Sequence, residues 1–380
     1  MYSIRNYGEM ILDAPRMEAY ERALRTRVTP GSVVADIGAG TGIFALIACR
    51  LGARRVFAIE PGEAITVARE MAAANGFTSR IEFFQAMSTE VTLPERANVI
   101  VSDLRGILPL FRRHLPSVVD ARKRLLAAGG AMIPEQDELW LAIVESDDMH
   151  RTITRPWHDK VFGFDMTAGG RVMANNFCRT NAVAEQLLSA PQPIATLDFA
   201  RIESFDLRAE LQMTISRAGS AHGFVAWFDS TLAPNVRLSN APGAPPLIYG
   251  NAFFPWPDAV PVDKGDAITI RIRADLVGDE YVWTWRSDVA DASGRTKVRF
   301  DQSDFLGAII SDASLRKRGA SHVPTLSEDG EVERFVLDHM EGRHNIGEIA
   351  RLVEQHFPMR FGRAEDALAY VGDVAVRYSR

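Results

Sequence analysis

An acid and an arginine follow a short apolar segment in the first third of the chain. Residues 97–101, ANVIV, are typical of a buried strand, and Asp103 and Arg105 come directly after it in the stretch SDLRGILPL. Open α/β sheets bind ligands at the carboxyl ends of their strands, so this pair lies where such a fold does its chemistry. A carboxylate there could orient an acceptor group or take its proton. We therefore predict Asp103 and Arg105 as catalytic residues. The alternative is that the two side chains pair with each other and only shape the loop.

Composition limits the classes of protein to consider. A chain of 380 residues suggests two or three domains, and 47% hydrophobic with 24% charged residues is typical of a soluble globular protein. The net charge of -6 argues against nucleic-acid binding, and no apolar run reaches membrane-spanning length. Two cysteines, Cys49 and Cys178, favour a reducing compartment, and neither lies in a metal-ligand pattern. We expect a cytoplasmic protein without a metal, a membrane or a nucleic-acid partner.

A glycine-rich turn follows the first predicted strand. Residues 32–36, SVVAD, lead through G-x-G-x-G to a helical pattern over 43–50. The spacing differs from the G-x-G-x-x-G of a dinucleotide site, and Asp36 before the turn would repel a pyrophosphate. Both features favour a ligand with a cationic ammonium and sulfonium and no phosphate, which is S-adenosylmethionine. The alternative is a tight strand-to-helix turn without a ligand.

Two further strand-like runs extend the predicted cofactor site. Residues 55–59 precede Glu60, which is placed to accept hydrogen bonds from ribose hydroxyls. Residues 81–84 lead to a polar segment where an adenine could lie. The predicted cofactor-binding residues of these segments and of the end of the next strand are Asp36, Gly38, Gly40, Gly42, Glu60, Pro61, Ser88, Thr89, Glu90 and Ser102.

The chain resembles the protein arginine methyltransferases. The stretch MILDAPR (10–16), with Tyr20 beyond it, is similar to the M-L-x-D-x-x-R helix that covers the cofactor in that family. The resemblance implies that Arg16 binds the methionine carboxylate and that Met10 packs near the sulfonium. It continues through DIGAGTGIFALIACRLGARRVFAIEP (36–61) and TEVTLPERANVIVSD (89–103), and extends over about residues 7–295.

The acceptor loop departs from that family. Its members read S-E-x-M-G here, with a second glutamate further along, and the two carboxylates clamp a substrate guanidinium. In this chain Asp103 takes the first acidic place, Arg105 replaces the methionine, and Arg112 stands at the second acidic place. Leu247, Ile248 and Tyr249 stand where the family has a Thr-His-Trp triplet. Either the acceptor is not arginine, or other residues bind the substrate guanidinium. The alternative for Arg112 is a position on a solvated helix face.

The fold class predicted is α/β with two appended domains. We expect a Rossmann-like class I methyltransferase domain with an N-terminal cover helix over 1–135 and an antiparallel β-barrel domain over 136–300. The strand-like runs of the second domain are 138–144, 204–207, 224–228, 267–272 and 281–285. A helical segment over 173–188, within an insertion near 170–190, lies where the resembled family has its dimerisation arm. It predicts a homodimer formed through 173–190.

The last segment, 301–380, shows three helical patterns. They cover 332–337, 345–353 and 364–374, and they resemble the small winged-helix domains of the PqqD-like class, which bind leader segments of precursor peptides. The alternative is a helical appendage that aids dimerisation. The predicted function is methyl transfer from S-adenosylmethionine to a peptide or protein, including a ribosomally made precursor peptide. A small-molecule acceptor and a cofactor-binding protein without turnover are the alternatives.

Overall fold

The structure, a computed structural model, describes residues 3–158 and 160–379. The chain divides into two compact units, Met1–Ala308 and Ile309–Arg380. Within the described ranges, no helix combines the length and the apolar character needed to cross a bilayer. The same ranges contain no group of three or more His, Cys, Asp or Glu side chains that could hold a metal ion.

A five-stranded parallel sheet forms the amino-terminal part of the larger unit, with strand order β3-β2-β1-β4-β5. All five residues of β1 are buried, as expected of a central parallel strand covered on both faces. This arrangement confirms the predicted Rossmann-like core. Its elements are α1 (Ile4–Leu12), α2 (Ala14–Arg27), β1 (Val33–Ile37), α3 (Ile43–Arg50), β2 (Arg55–Ile59), α4 (Ala64–Ala74), β3 (Ile81–Phe84), β4 (Ala97–Ser102), α5 (His114–Arg124) and β5 (Leu126–Ile133).

The carboxyl ends of the three central strands lie level with one another. Ile37, the last residue of β1, pairs in register with Ile59 of β2 on one side and with Ser102 of β4 on the other. The chain reverses its order at this point, because β2 and β4 lie on opposite sides of β1. A crevice at such a switch point is the usual ligand site of open α/β sheets. The residues directly after these three strands therefore meet at one edge.

Two antiparallel sheets follow, which confirms the predicted β-barrel-like domain. One has the order β7-β12-β10-β6-β8 with β11 on β10, and the other has the order β15-β14-β13-β9. Their core includes the fully buried Trp256, Trp283 and Trp285. The strands are β6 (Gln136–Val144), β7 (Cys178–Thr180), β8 (Gln192–Asp198), β9 (Leu207–Thr214), β10 (Gly219–Ala233), β11 (Val236–Ser239), β12 (Asn251–Val262), β13 (Ala267–Val277), β14 (Glu280–Ala290) and β15 (Thr296–Ser303). The predicted run 204–207 is wrong except for its last residue, since β9 begins at Leu207.

The helical insertion lies earlier in the chain than predicted. Helices α6 (Asp147–His158) and α7 (Thr167–Ala174) are inserted between β6 and β7. The predicted helix over 173–188 is wrong except for its first two residues, which end α7, because strand β7 and a single 3₁₀ turn, Ala184–Gln186, follow them. Leu188 is fully buried, and its N–H donates to the carbonyl of Ile143 in β6 at 2.9 Å. The apolar side chains that suggested a helical stripe are thus used in part to pack this segment against the chain's own sheet.

The carboxyl-terminal unit is helical, as predicted. Its helices are α9 (Asp312–Lys317), α10 (Glu328–Asp338), α11 (Ile346–His356) and α12 (Ala364–Tyr378); the short α8 (Asp304–Gly307) precedes the unit. Asn345 caps α11 in a reciprocal pair with Glu348, a sequence signature of a helix start. The helices share a core that includes Val336, Val353 and Val371. Residues 309–379 contain no strand, so the β-wing of a winged helix is not found there.

Candidate active site

The glycine-rich turn between β1 and α3 has a backbone that only glycine adopts readily. Gly38, Gly40 and Gly42 all have positive φ, at 72°, 52° and 82°. A Cβ added at Gly38 would lie 2.2 Å from the Leu104 side chain, and one at Gly40 would lie 2.5 Å from the Tyr7 ring. Helix α1 and the loop after β4 therefore pack directly against the turn. That helix α1 covers the cofactor stays a prediction.

Two carboxylates flank the turn. Asp36 is 1% exposed, and its Oδ2 accepts from the backbone N–H of Ala45 at 3.0 Å. Burial raises the pKa of Asp36 to about 7, and the charges of Glu60 and Asp103 add to that rise. Glu60 is only half-buried; its Oε2 accepts from the N–H of Gly40 at 3.0 Å and its Oε1 from the N–H of Gly62 at 2.8 Å. The backbone thus fixes the Glu60 carboxylate at the end of β2.

Asp103 lies at the centre of a buried polar network. Its Oδ2 accepts from Arg16 Nε at 2.7 Å and from the Tyr249 hydroxyl at 2.5 Å. Arg16 Nη2 lies 2.6 Å from the same oxygen, and Arg16 Nη1 donates to the carbonyl of Met10 at 3.0 Å. Burial alone would raise the pKa of Asp103, but the guanidinium groups of Arg16 and Arg105 hold this pKa below its usual value. Asp103 is therefore ionised and held by hydrogen bonds.

Arg105 extends this network into the β-barrel domain. Its fully buried guanidinium lies 3.5 Å from Asp103 Oδ1 and 3.5 Å from Asp137 Oδ1, the latter on β6. Its Nη2 donates to the Tyr20 hydroxyl at 3.1 Å, and its central carbon lies 4.8 Å from the centre of the Phe228 ring. Burial raises the pKa of Asp137, and the charge of Arg105 offsets part of that rise.

The network joins residues that sequence reasoning named with others that it missed. Asp103, Arg105 and Arg16 come together, although the first and last lie 87 positions apart along the chain. From the sequence, Tyr249 is only a departure from a family motif, and Asp137 is not a candidate. No local signal marks Asp137, because Gln136 and Glu138 flank it at the polar start of β6.

Arg112 lies outside the network. Its side chain is 62% exposed and pairs at 3.5 Å with Glu280, which is also exposed. The prediction that Arg112 lies in the acceptor site is therefore wrong. The alternative, a solvated helix face, is correct about solvent exposure only, because Arg112 precedes helix α5. The positive charges beside the acceptor loop are then those of Arg16 and Arg105, which face the carboxylates of Asp103 and Asp137.

The remaining predicted residues lie at the same edge of the sheet. Pro61 follows β2 and is exposed; Ser88, Thr89 and Glu90 form a turn after β3, with only Ser88 buried. Ser102 is the buried last residue of β4, and Met10 is half-buried near the end of α1. The cofactor contacts of these residues stay predictions.

The fold and this edge define a class of protein. A parallel sheet of order 3-2-1-4-5, a glycine turn after β1 and an acid at the end of β2 are the features of a Rossmann-like methyltransferase, here joined to an antiparallel barrel. The family described as the arginine methyltransferase oligomerization subdomain matches residues 135–278. The family described as ribosomal protein L11 methyltransferase (PrmA) matches residues 17–137.

Similar proteins narrow the class. Protein arginine N-methyltransferase 1 of Dictyostelium discoideum is 28% identical over 280 residues, which is 69% of this chain and 79% of that protein. Protein arginine N-methyltransferase 2 of Homo sapiens is 30% identical over 284 residues, which is 70% of this chain and 65% of that protein. The chain is therefore a protein arginine methyltransferase-like, S-adenosylmethionine-dependent methyltransferase.

Solved structures share the fold. The Trypanosoma brucei PRMT1 enzyme-prozyme heterotetrameric complex with AdoHcy has a TM-score of 0.71 and 21% identity, and the match covers 78% of this chain and 97% of that chain. Protein arginine methyltransferase 10 of Arabidopsis thaliana, in an open conformation, has a TM-score of 0.70 and 22% identity, covering 79% and 97%. The predicted PqqD-like character of the carboxyl-terminal unit is not confirmed by any of these comparisons.

Proposed function

We propose that this chain methylates a peptide or protein, using S-adenosylmethionine bound over the glycine turn between β1 and α3. The observation that carries the proposal is the pair of acids that flanks this turn, Asp36 and Glu60. Glu60 is held by two backbone N–H groups and remains half-exposed, so its free lone pairs can accept from ribose hydroxyls. In the described chain Asp36 Oδ1 is buried without a hydrogen-bond partner, which favours a cationic group nearby.

The chain's own residues would then position the acceptor. S-adenosylmethionine supplies an electrophilic methyl group on a sulfonium, so the protein needs to align a nucleophile with it and to exclude water. Asp103 orients rather than deprotonates, because its pKa is lowered and its Oδ2 already accepts from Arg16 and Tyr249. The close contact of Leu104 with Gly38 supports placing this loop beside the cofactor.

Calorimetry with matched glutamate variants tests the cofactor site. Glu60→Gln removes the charge of a carboxylate fixed at the turn, and we expect it to weaken binding of S-adenosylmethionine by about 1–3 kcal/mol, the scale of a hydrogen bond to a charged group. Glu63→Gln, three residues along at the exposed start of α4, serves as the control and should bind as the wild type does. Equal affinities for the Glu60→Gln variant and the wild type would remove Glu60 from the site.

We further propose that the protein is a homodimer that uses the α6–α7 insertion. The segment between these helices exposes large apolar side chains, with Phe162 94% and Phe164 68% exposed. An exposed apolar segment of this kind is typical of an interaction surface. The match to an oligomerization subdomain over 135–278 includes this segment and supports the proposal.

We also propose that the carboxyl-terminal unit binds part of the peptide substrate. The unit has its own core, which supports a separable binding role. Candidate leader peptides should bind to residues 309–380 in a titration. A unit that binds none of them would favour a small-molecule acceptor, with these helices serving assembly. The cytoplasmic location stays a prediction.

A further inference from the structure

The acceptor side of the site holds two buried carboxylates. Asp103 directly follows β4, beside the residue that packs on Gly38, and Asp137 lies on β6. Both side chains are at most 5% exposed. A cationic acceptor that approached the glycine turn from this side would need a carboxylate as its counter-ion, because a lone charge in a low-dielectric site is strongly disfavoured.

Both carboxylates already form ion pairs with guanidinium groups of the same chain. Asp103 Oδ2 is held by Arg16, and its Oδ1 faces Arg105 at 3.5 Å. Asp137 faces the other side of Arg105 at the same distance. Two acids and two arginines balance, so this part of the site offers no uncompensated negative charge. An incoming guanidinium would be a third positive charge beside two negative ones.

Arg105 is surrounded by the kinds of group that recognise a guanidinium, and its contacts with both carboxylates are ion pairs at 3.5 Å without a hydrogen bond. It lies between two carboxylates, donates to the Tyr20 hydroxyl and stacks over the Phe228 ring. Carboxylates and an aromatic face are the groups that recognise a guanidinium. The side chain is fully buried, and moving it aside would leave Asp137 without its ion-pair partner.

We propose that Arg105 occupies the guanidinium position of the acceptor site and so restricts the enzyme to acceptors without positive charge. This inference rests on the proposed methyl transfer at the glycine turn. A lone pair of the acceptor oxygen or nitrogen forms the bond to the methyl carbon, while the carbon–sulfur bond breaks and its electron pair stays on sulfur. A carboxylate acceptor releases no proton, and a hydroxyl or amide acceptor passes its proton to water. Arg105 is thus a specificity-determining residue, distinct from the groups that bind the cofactor.

Two peptides that differ only in charge test the proposal. One carries a single arginine and the other carries citrulline at the same position, and binding of each to the full chain is measured by calorimetry with S-adenosylhomocysteine present. We expect the wild type to bind the arginine peptide no more tightly than the citrulline peptide. Arg105→Met should bind the arginine peptide about tenfold or more tightly than the citrulline peptide, the scale of a charged hydrogen bond. Arg105→Lys keeps the charge and should show no such preference.

Several results would overturn the inference. A wild-type preference for the arginine peptide, or methylation of it, would mean that Arg105 does not fill the acceptor position. An Arg105→Met variant that binds S-adenosylhomocysteine normally yet shows no gain would do the same. The wild-type comparison needs no variant, so it decides the matter even if Arg105→Met fails to fold. A wild-type chain that does not bind S-adenosylhomocysteine would instead refute the proposed function.

Discussion

Replacing Asp103 by asparagine should strongly destabilise the larger unit. The substitution keeps the size of the side chain but removes the charge that faces both Arg16 and Arg105, and it leaves Asp137 as the one carboxylate beside Arg105. Removing one partner of a buried ion pair costs about 3–5 kcal/mol, because the remaining charge is left without compensation. The bonds to Asp103 Oδ2 from Arg16 and from the Tyr249 hydroxyl, at 2.7 and 2.5 Å, justify the full range.

Urea unfolding, followed by tryptophan fluorescence, measures this loss of unfolding free energy in the larger of the two structural units. All six tryptophans precede residue 309, so their emission reports on the larger unit in the intact chain. Asp279→Asn is the matched control, since Asp279 pairs with Arg113 at 3.1 Å, both side chains are exposed, and the loss of this pair should leave the urea midpoint unchanged. A loss below about 1 kcal/mol for Asp103→Asn would refute the view that this network is a buried, paired ionic cluster.

Two further predictions concern pH and assembly. Burial raises the pKa of Asp36 to about 7, well above its usual value near 4, so stability from this group is present below about pH 4 and declines as the pH rises towards 7. The affinity for the cationic S-adenosylmethionine should instead increase between pH 6 and 8, because Asp36 ionises over that range. Calorimetry should show no such increase for Asp36→Asn. A wild-type affinity that does not vary with pH would contradict the placement of Asp36 beside the cofactor. Phe162→Ser combined with Phe164→Ser should convert a dimer to a monomer in sedimentation velocity, and a dimer that survives both changes would place the interface elsewhere.

The sequence predicted the parallel sheet and the glycine turn at its edge well, because their signals are local. A buried strand, a glycine turn and a helix follow one another within 33–50, and each has its own pattern. The helices of the carboxyl-terminal unit were likewise visible from periodicity and from the cap at Asn345. Each of these features depends on neighbours within a few positions along the chain.

Features that depend on distant contacts were missed. Residues 182–188 have a helical pattern, but Leu188 is buried against β6, and this packing overrides local propensity. Tyr249 and Asp103 are 146 positions apart in the sequence, and no local pattern predicts their contact. Arg112 was placed in the acceptor site by alignment to a family motif alone, whereas the loop carries it to the surface beside Glu280.

A crystal structure of the full chain with S-adenosylhomocysteine tests the central claim most directly. We predict that the ligand lies over the turn of Gly38, Gly40 and Gly42, with both ribose hydroxyls within hydrogen-bonding distance of the Glu60 carboxylate. We also predict that the Arg105 guanidinium still lies between Asp103 and Asp137. A ligand bound elsewhere on the chain, or a ribose that contacts other residues while Glu60 faces solvent, would contradict it.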